Sequence, residues 1–278
     1  MRQQQLDAWR AVAPGWERRR ALFWEATRSV SERLVELLEP HPGQTIVDLA
    51  AGPGDTGFLA APLVEPGGRL VTTDVAPEMV DAARRRAAEL GLEGVEFRIE
   101  DLAALSFGDE TLDGILCRWG LMLVPDMDAA AAEIRRVLRP GGRAALAVWG
   151  SPDENDWMTA PGRSALELGL VERPDPAAPG PFRLSADGAL AAVLGSAGLA
   201  VQTVDDVRLV WRSPSLGEWW DVVRDTSRML STLLERLSPV EAQAVREGAE
   251  RRLGAWVDAD GSVAVPGVAR VALAARPG

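Results

Sequence analysis

Neither lysine nor tyrosine occurs in this chain, and cysteine and histidine occur once each, as Cys117 and His41. A single cysteine closes no disulfide within one chain, and with a single histidine it cannot build a structural zinc site. Both frameworks are excluded, and no bound metal is expected. Without lysine there is no Schiff-base nucleophile and no phosphate loop of the lysine type. Without tyrosine as well, the Tyr/Lys pair by which short-chain dehydrogenases move a proton is missing. Long apolar runs are scarce too. Asp, Arg or Gly interrupts each one before membrane-spanning length, and residues 1–20 lack the apolar centre of a secretion signal, so a cytoplasmic protein with no membrane span is expected.

Basic charge is also in short supply, the formal net charge being −11. Such a field repels a polyanion. The arginine runs at residues 18–20 and 84–86 fall in helix-like stretches, where they read as solvated faces, so a small molecule rather than nucleic acid is the expected partner. Apolar residues are plentiful, 47% of 278, enough for one large core with insertions. The pattern leaves a homodimer open.

Val30, Leu34, Leu37 and Leu38 recur on one helix face, and Pro40-His41-Pro42-Gly43 ends that run, giving an N-terminal helical arm over residues 1–44. Beyond it, short apolar runs alternate with helix-period stretches. Strands are expected at 45–49, 69–73, 95–99, 114–117 and 143–149, with helices at 58–63, 77–90 and 128–139. That alternation implies right-handed βαβ units and a parallel sheet. Residues 151–182, rich in Pro, Gly, Asp and Glu, read as a loop-dominated insertion. A short helix at 186–197, a strand near 199–211 and a last strand near 268–275 return to the sheet. A single helical stretch, 216–237, lies between those two strands and carries Leu216, Trp219, Trp220, Val223, Leu230, Leu234 and Leu237 on one face. The expected fold is α/β, a doubly wound (Rossmann-like), mostly parallel seven-stranded sheet with helical cap insertions. Residues 45–150 form its core, and 151–278 the remainder, with caps near 151–183 and 213–258.

The densest chemical signal is Val47-Asp48-Leu49-Ala50-Ala51-Gly52-Pro53-Gly54-Asp55-Thr56-Gly57, directly after the first strand. A glycine-rich strand-to-helix turn lets backbone approach a ligand and presents free N–H groups at the helix start, although a tight turn needing positive φ also selects glycine. Asp74 ends the second strand twenty residues past Gly54, where a doubly wound nucleotide site places the carboxylate that holds ribose hydroxyls. Asp48 inside the turn repels a pyrophosphate and attracts a ligand bearing an ammonium and a sulfonium. Other residues have plainer readings beside the chemical one. Asp101 can cap a turn, Met79 lies on a core stripe, Cys117 can be a small buried hydrophobe, and Arg118 can pair with a core carboxylate. His41 is expected at the sheet end away from the ligand.

Five motifs together resemble the class I S-adenosylmethionine-dependent methyltransferases, in particular the branch similar to ubiquinone/menaquinone-biosynthesis methyltransferases, over residues 3–150. They are Asp48 to Gly54; Thr73-Asp74-Val75; Glu100-Asp101-Leu102; Cys117-Arg118-Trp119-Gly120-Leu121-Met122 with Pro125-Asp126; and Arg136-Val137-Leu138-Arg139-Pro140-Gly141-Gly142-Arg143. The resemblance implies S-adenosyl-L-methionine as cofactor. It implies that Asp48 and the Ala50, Gly52 and Gly54 backbone hold the methionine part and Asp74 the ribose. Asp101 and Leu102 would hold the adenine edge, Val75 and Met79 its faces, and Cys117 and Arg118 the floor beside the sulfonium. Ala50 departs from the pattern, standing where many members have the first glycine of the turn.

Methyl transfer is an in-line displacement that needs alignment rather than a protein nucleophile, and orientation can supply about 7–11 kcal/mol. A general base, where one is needed, falls to an acid. Asp126 and Asp156 are candidates, with Glu154, Glu218 and Asp221 behind them and Arg118 a further catalytic candidate. The acceptor pocket is expected from Trp119, Met122, Trp157, Trp219 and Trp220, roofed by the two insertions and the arm, and suited to a planar, quinone-like or polyketide-like molecule. The rival readings are an NAD(P)-dependent oxidoreductase and a non-catalytic ligand-binding protein on the same fold.

Overall fold

The computed structural model describes residues 2–278. Met1, which opens the expected arm, lies outside the described residues, as do the side chains of residues 2–9, 11, 12 and 228.

Helix α1 (Arg2–Leu38) carries a stripe of Phe23, Ala26, Val30, Leu34 and Leu38, all buried, spaced three and four apart. That spacing puts them on one face, and the helix packs on the sheet and on four further helices. Each wholly buried Leu or Val side chain contributes about 1.5–3 kcal/mol. The chain then runs β1 (Thr45–Asp48), α2 (Asp55–Val64), β2 (Arg69–Asp74), α3 (Pro77–Glu89), β3 (Glu96–Ile99), β4 (Leu112–Arg118), α4 (Met127–Val137) and β5 (Leu138–Trp149). After these come α5 (Asp156–Glu167), α6 (Ala189–Ser196), β6 (Ala200–Ser213), α7 (Leu216–Thr226), α8 (Arg228–Arg236), α9 (Pro239–Leu253) and β7 (Val263–Ala275).

Among the described residues the strands form one seven-stranded sheet in the order β3-β2-β1-β4-β5-β7-β6. All neighbours through β5 are parallel, and β7 runs antiparallel to both β5 and β6. The carboxyl ends of β1, β2, β3, β4 and β5 therefore share one edge, where an open α/β sheet receives its ligand. The β5–β7 ladder ends at Trp149↔Ala269, while β6–β7 pairing continues to Ser213↔Val263. A two-stranded ribbon thus overshoots the ligand edge. Asn155 pins it to the start of α5: its side chain accepts from Val268 N and donates to Val268 O, each at 3.1 Å.

Three elements differ from expectation. Residues 156–167 form a helix rather than loop, with Trp157, Ala160, Pro161, Ser164 and Ala165 buried on one face. Pro161 disguises it, because proline inside a helix leaves the carbonyl four residues earlier without its N–H. That carbonyl, Trp157 O, accepts the indole Nε1–H of Trp219 at 2.8 Å instead. The stretch 216–237 is two helices, broken where Ser227 caps α8 by accepting from Leu230 N. Helix α9 went unseen because only Val245, Ala249 and Leu253 mark its buried side. It approaches α5 closely, and a Cβ on Gly248 would lie 2.1 Å from Ser164 Oγ. Boundaries also move: α4 stops at Val137, and α2 starts at Asp55.

Trp219 is wholly buried, so its substitution by phenylalanine strands the Trp157 carbonyl. We expect Trp219→Phe to lower unfolding free energy by about 1–3 kcal/mol, read as a lower urea midpoint; an unchanged midpoint would remove that hydrogen bond from the account.

Candidate functional site

The turn between β1 and α2 is tied on both sides. Leu49 N donates to Leu116 O on β4, and Ala51 N to Thr73 O on β2. Gly52 and Gly54 have φ of 56° and 89°, and Ala50, a residue with a Cβ, sits at φ 51°. Left-handed backbone costs an L-residue about 1–2 kcal/mol, and glycine gives back roughly 0.5–1 in entropy. Ala50→Gly should therefore change stability by about 1 kcal/mol or less, in the stabilising direction, by thermal unfolding; a clear loss would show that the alanine methyl packs.

Asp48 is wholly buried at the end of β1. Its Oδ2 accepts from Gly57 N at 2.7 Å, a contact that needs glycine, because a Cβ there would sit 2.8 Å from that oxygen. Its Oδ1 has no partner. Burial pushes the carboxyl up to about 7, against the pull of the Gly57 N–H and of Arg118 and with a further push from Asp74 and Asp55. Asp74, at the end of β2, bridges the two neighbouring turns. Oδ2 accepts from Gly52 N at 2.9 Å and Oδ1 from Ala76 N at 3.0 Å. Burial raises its pKa too, opposed by these amides. Val75 is half-buried and Met79 buried beside Ala76, Ala13 and Trp16. After β3, Asp101 Oδ1 accepts from Ala103 N at 2.9 Å, and Leu102 is buried.

At the end of β4, Cys117 is buried, its thiol pushed up to about 12 chiefly by burial, which makes it a neutral filler rather than a nucleophile. Arg118 is half-buried; its guanidinium donates to Thr27 Oγ1 on α1 at 2.8 Å and lies 4.6 Å over the Trp119 ring. Burial lowers its pKa, with Asp48 and Asp55 pulling it back up. Trp119 holds φ 62°, a strained conformation for an aromatic residue that the surroundings must impose. Met122 is buried just beyond.

From Trp119 an aromatic wall crosses the ligand edge. Trp119 stacks on Trp149 at 4.1 Å, Trp149 meets Trp157 edge-on at 5.5 Å, and Trp157 stacks on Trp211 at 4.5 Å. Phe23 of α1 closes on Trp211 at 4.9 Å and on Trp16 at 4.2 Å. The sequence reading missed Trp149, Trp211, Phe23 and Trp16. Trp149 ends its strand as Trp119 does, so topology alone would have found it; the others depend on the ribbon's overshoot and on how α1 crosses the sheet. Trp219 and Trp220, on α7, are buried; Trp219 reaches the wall through its indole N–H on Trp157 O at 2.8 Å, and Arg246 lies 5.9 Å from the Trp220 ring.

The candidate bases have other partners. Asp126, exposed, caps α4 by accepting from Ala129 N, and Glu154 accepts from Ser151 N. Asp156 faces Thr159 and Arg163; Glu218 pairs with Arg19 at 2.6 Å and Asp221 with Arg224 at 3.2 Å. His41 is exposed at the opposite sheet edge, beside a cavity of about 110 Å³ lined by Glu39, Asp113 and Arg143. Among the described residues no group of three or more His, Cys, Asp or Glu side chains is placed to hold a metal, and no helix is long and apolar enough to cross a membrane.

Residues 49–146 match the family model of a methyltransferase domain. The chain is 37% identical over 148 residues to nocamycin O-methyltransferase of Saccharothrix syringae, covering 53% of this chain and 51% of that one. It is 39% identical over 112 residues to a ubiquinone/menaquinone biosynthesis C-methyltransferase of Acidiphilium cryptum, covering 39% and 43%. The chain thus spans about half, or less, of the length of these curated relatives. The YcgJ protein of Bacillus subtilis superposes with a TM-score of 0.61 at 22% identity, over 90% of this chain and 99% of that one, so the fold is shared. Residues 49–146 are thus similar to a methyltransferase domain. The chain's motif resemblance to the quinone-biosynthesis branch agrees with the sequence match to that group.

Proposed function

We propose that this protein is an S-adenosylmethionine-dependent methyltransferase acting on a small planar acceptor, with residues 45–150 as the cofactor core. The observation that carries this reading is the pair of acids at the ends of β1 and β2. Asp48 keeps an unpartnered oxygen in a buried turn, and Asp74 holds both flanking turns by their amides. An orphaned buried acceptor is costly without a donor, and an ammonium supplies one, so the residues present fit the cofactor. Asp48 would take that ammonium, aided by the backbone of Ala50, Gly52 and Gly54. Asp74 would take the ribose hydroxyls on its remaining lone pairs. Val75 and Met79 would flank the adenine, with Asp101 and Leu102 at its edge and Cys117 and Arg118 as the floor. A dinucleotide fits less well, because Asp48 repels a pyrophosphate at this turn.

The bound cofactor supplies a methyl group on a sulfonium, already activated for displacement. What the chain contributes is alignment and exclusion of water. Trp119 and Trp149 offer stacked faces beside the floor, and α1, α5 and the β6–β7 ribbon enclose them, with the insertions 151–183 and 213–258 as the cap. The names of two relatives, a nocamycin O-methyltransferase and a ubiquinone/menaquinone biosynthesis C-methyltransferase, agree with a small acceptor methylated on oxygen or carbon. Mass spectrometry of phenol, quinol and polyketide-like acceptors incubated with the cofactor tests this. The expected product gains one methylene, and a panel without any such product would count against the acceptor class.

A further inference from the structure

The site is rich in donors and poor in bases. Arg118 makes no ion pair within 4 Å among the described residues, its hydrogen bond going to the neutral Thr27 hydroxyl. The acids that act on it electrostatically are Asp48 on β1 and Asp55 on α2. Asp48 is held by Gly57 N, and Asp55 faces Arg20 at 3.2 Å and Arg86 at 3.4 Å, so both act on the Arg118 guanidinium from beyond ion-pair distance. Next to that guanidinium, the Trp119 indole Nε1–H is buried without an acceptor. Both donors stand at the start of the aromatic wall, and every acid considered as a base is a cap or an ion-pair partner elsewhere. A buried donor left unmatched, as Trp119 Nε1 is, costs free energy, and a donor beside a cation can stabilise a negative charge brought to both.

We infer that Arg118 and the Trp119 indole N–H form an oxyanion clamp for the acceptor, so that the substrate is a planar acidic hydroxyl compound, a phenol or enol, taken up as its anion. This rests on the methyltransferase reading and names the acceptor chemistry of that site. The proton leaves to solvent as the hydroxyl ionises. A lone pair of the oxygen, or the π pair at the carbon conjugated with it, then forms the new bond to methyl, and in the carbon case that carbon's own proton is afterwards released to solvent as the conjugated hydroxyl compound is restored. The carbon–sulfur bond breaks with its pair going to sulfur, and the charges of anion and sulfonium cancel. No protein base is required, which accounts for a site without lysine, tyrosine or a placed histidine.

The test uses 4-nitrophenol, whose anion absorbs visibly, with the full chain and S-adenosylhomocysteine. Bound 4-nitrophenol should ionise about tenfold or more readily than in water, a shift of about one pH unit downward. 4-Nitroanisole, which cannot ionise, should bind at least about tenfold more weakly at pH 8. Arg118→Gln should abolish the shift and Arg118→Lys should keep part of it. Thr27→Val, which removes the hydrogen bond on Arg118 but keeps the cation, should keep most of it. Calorimetry with S-adenosylhomocysteine should change by less than about threefold in Thr27→Val, and the shift is read at saturating S-adenosylhomocysteine in every variant. The proposal is overturned if 4-nitrophenol does not saturate the wild type, if it titrates there as in water, or if 4-nitroanisole binds equally well. Equal loss of the shift in Thr27→Val and Arg118→Gln would make Arg118 a structural tie. A large loss of S-adenosylhomocysteine affinity in Arg118→Gln with the shift intact would assign Arg118 to the cofactor. Failure of the wild type to bind S-adenosylhomocysteine is a separate result, and it removes the methyltransferase reading itself.

Discussion

Replacing Asp74 with alanine is expected to weaken S-adenosylhomocysteine binding by about 1.5–3 kcal/mol, roughly 10- to 150-fold, the range for losing hydrogen bonds to a charged group. The carboxylate does two jobs at once. Its oxygens accept backbone N–H groups, Oδ2 from Gly52 and Oδ1 from Ala76, and a ribose hydroxyl would take a remaining lone pair. The alanine variant should therefore also soften both turns, visible as a lower melting temperature. Asp74→Asn, which keeps one acceptor oxygen, should fall between wild type and Asp74→Ala. Calorimetry on the folded variant decides the matter, and unchanged affinity would remove the ribose role.

The second large effect is in pH. The buried Asp48 carboxyl is raised to about 7, above its value in an unfolded chain. The folded protein then holds the proton more tightly than the unfolded one, so the associated stability is complete at low pH and is lost as pH rises through about 7. Asp74, also raised by burial, acts in the same direction. Cofactor binding runs the other way, because an ammonium needs Asp48 ionised. Affinity should climb about tenfold per pH unit below 7 and level off above it, with Asp48→Asn losing this slope. Calorimetry from pH 5 to 8 reads both curves, and a flat wild-type profile would mean that Asp48 stays protonated in the complex.

The parts of this molecule that were legible in the sequence are those set by neighbours in the chain. The β1 strand, its glycine turn and Asp74 one crossover later follow from βαβ geometry, and Asp48 could be distinguished from a pyrophosphate-binding turn by charge alone. What escaped depends on long-range closure. Pro161 hid α5 because the carbonyl it frees is satisfied from α7, by Trp219. The same bond explains why Trp219, which reads as a pocket residue on a helical stripe, sits in packing. Asp126 looked like a base by its place after β4, yet its carboxylate caps the helix that begins one residue later. The aromatic wall required knowing that β6 and β7 outrun β5, which no local pattern reports.

The site's identity as an adenosylmethionine-type pocket is tested most directly by calorimetric titration of the full chain with S-adenosylhomocysteine and, separately, with NAD. The acids at the ends of β1 and β2 predict saturable one-site binding of S-adenosylhomocysteine, weakened by Asp74→Ala, and no measurable heat from NAD. Saturable binding of NAD with none of S-adenosylhomocysteine would contradict the account.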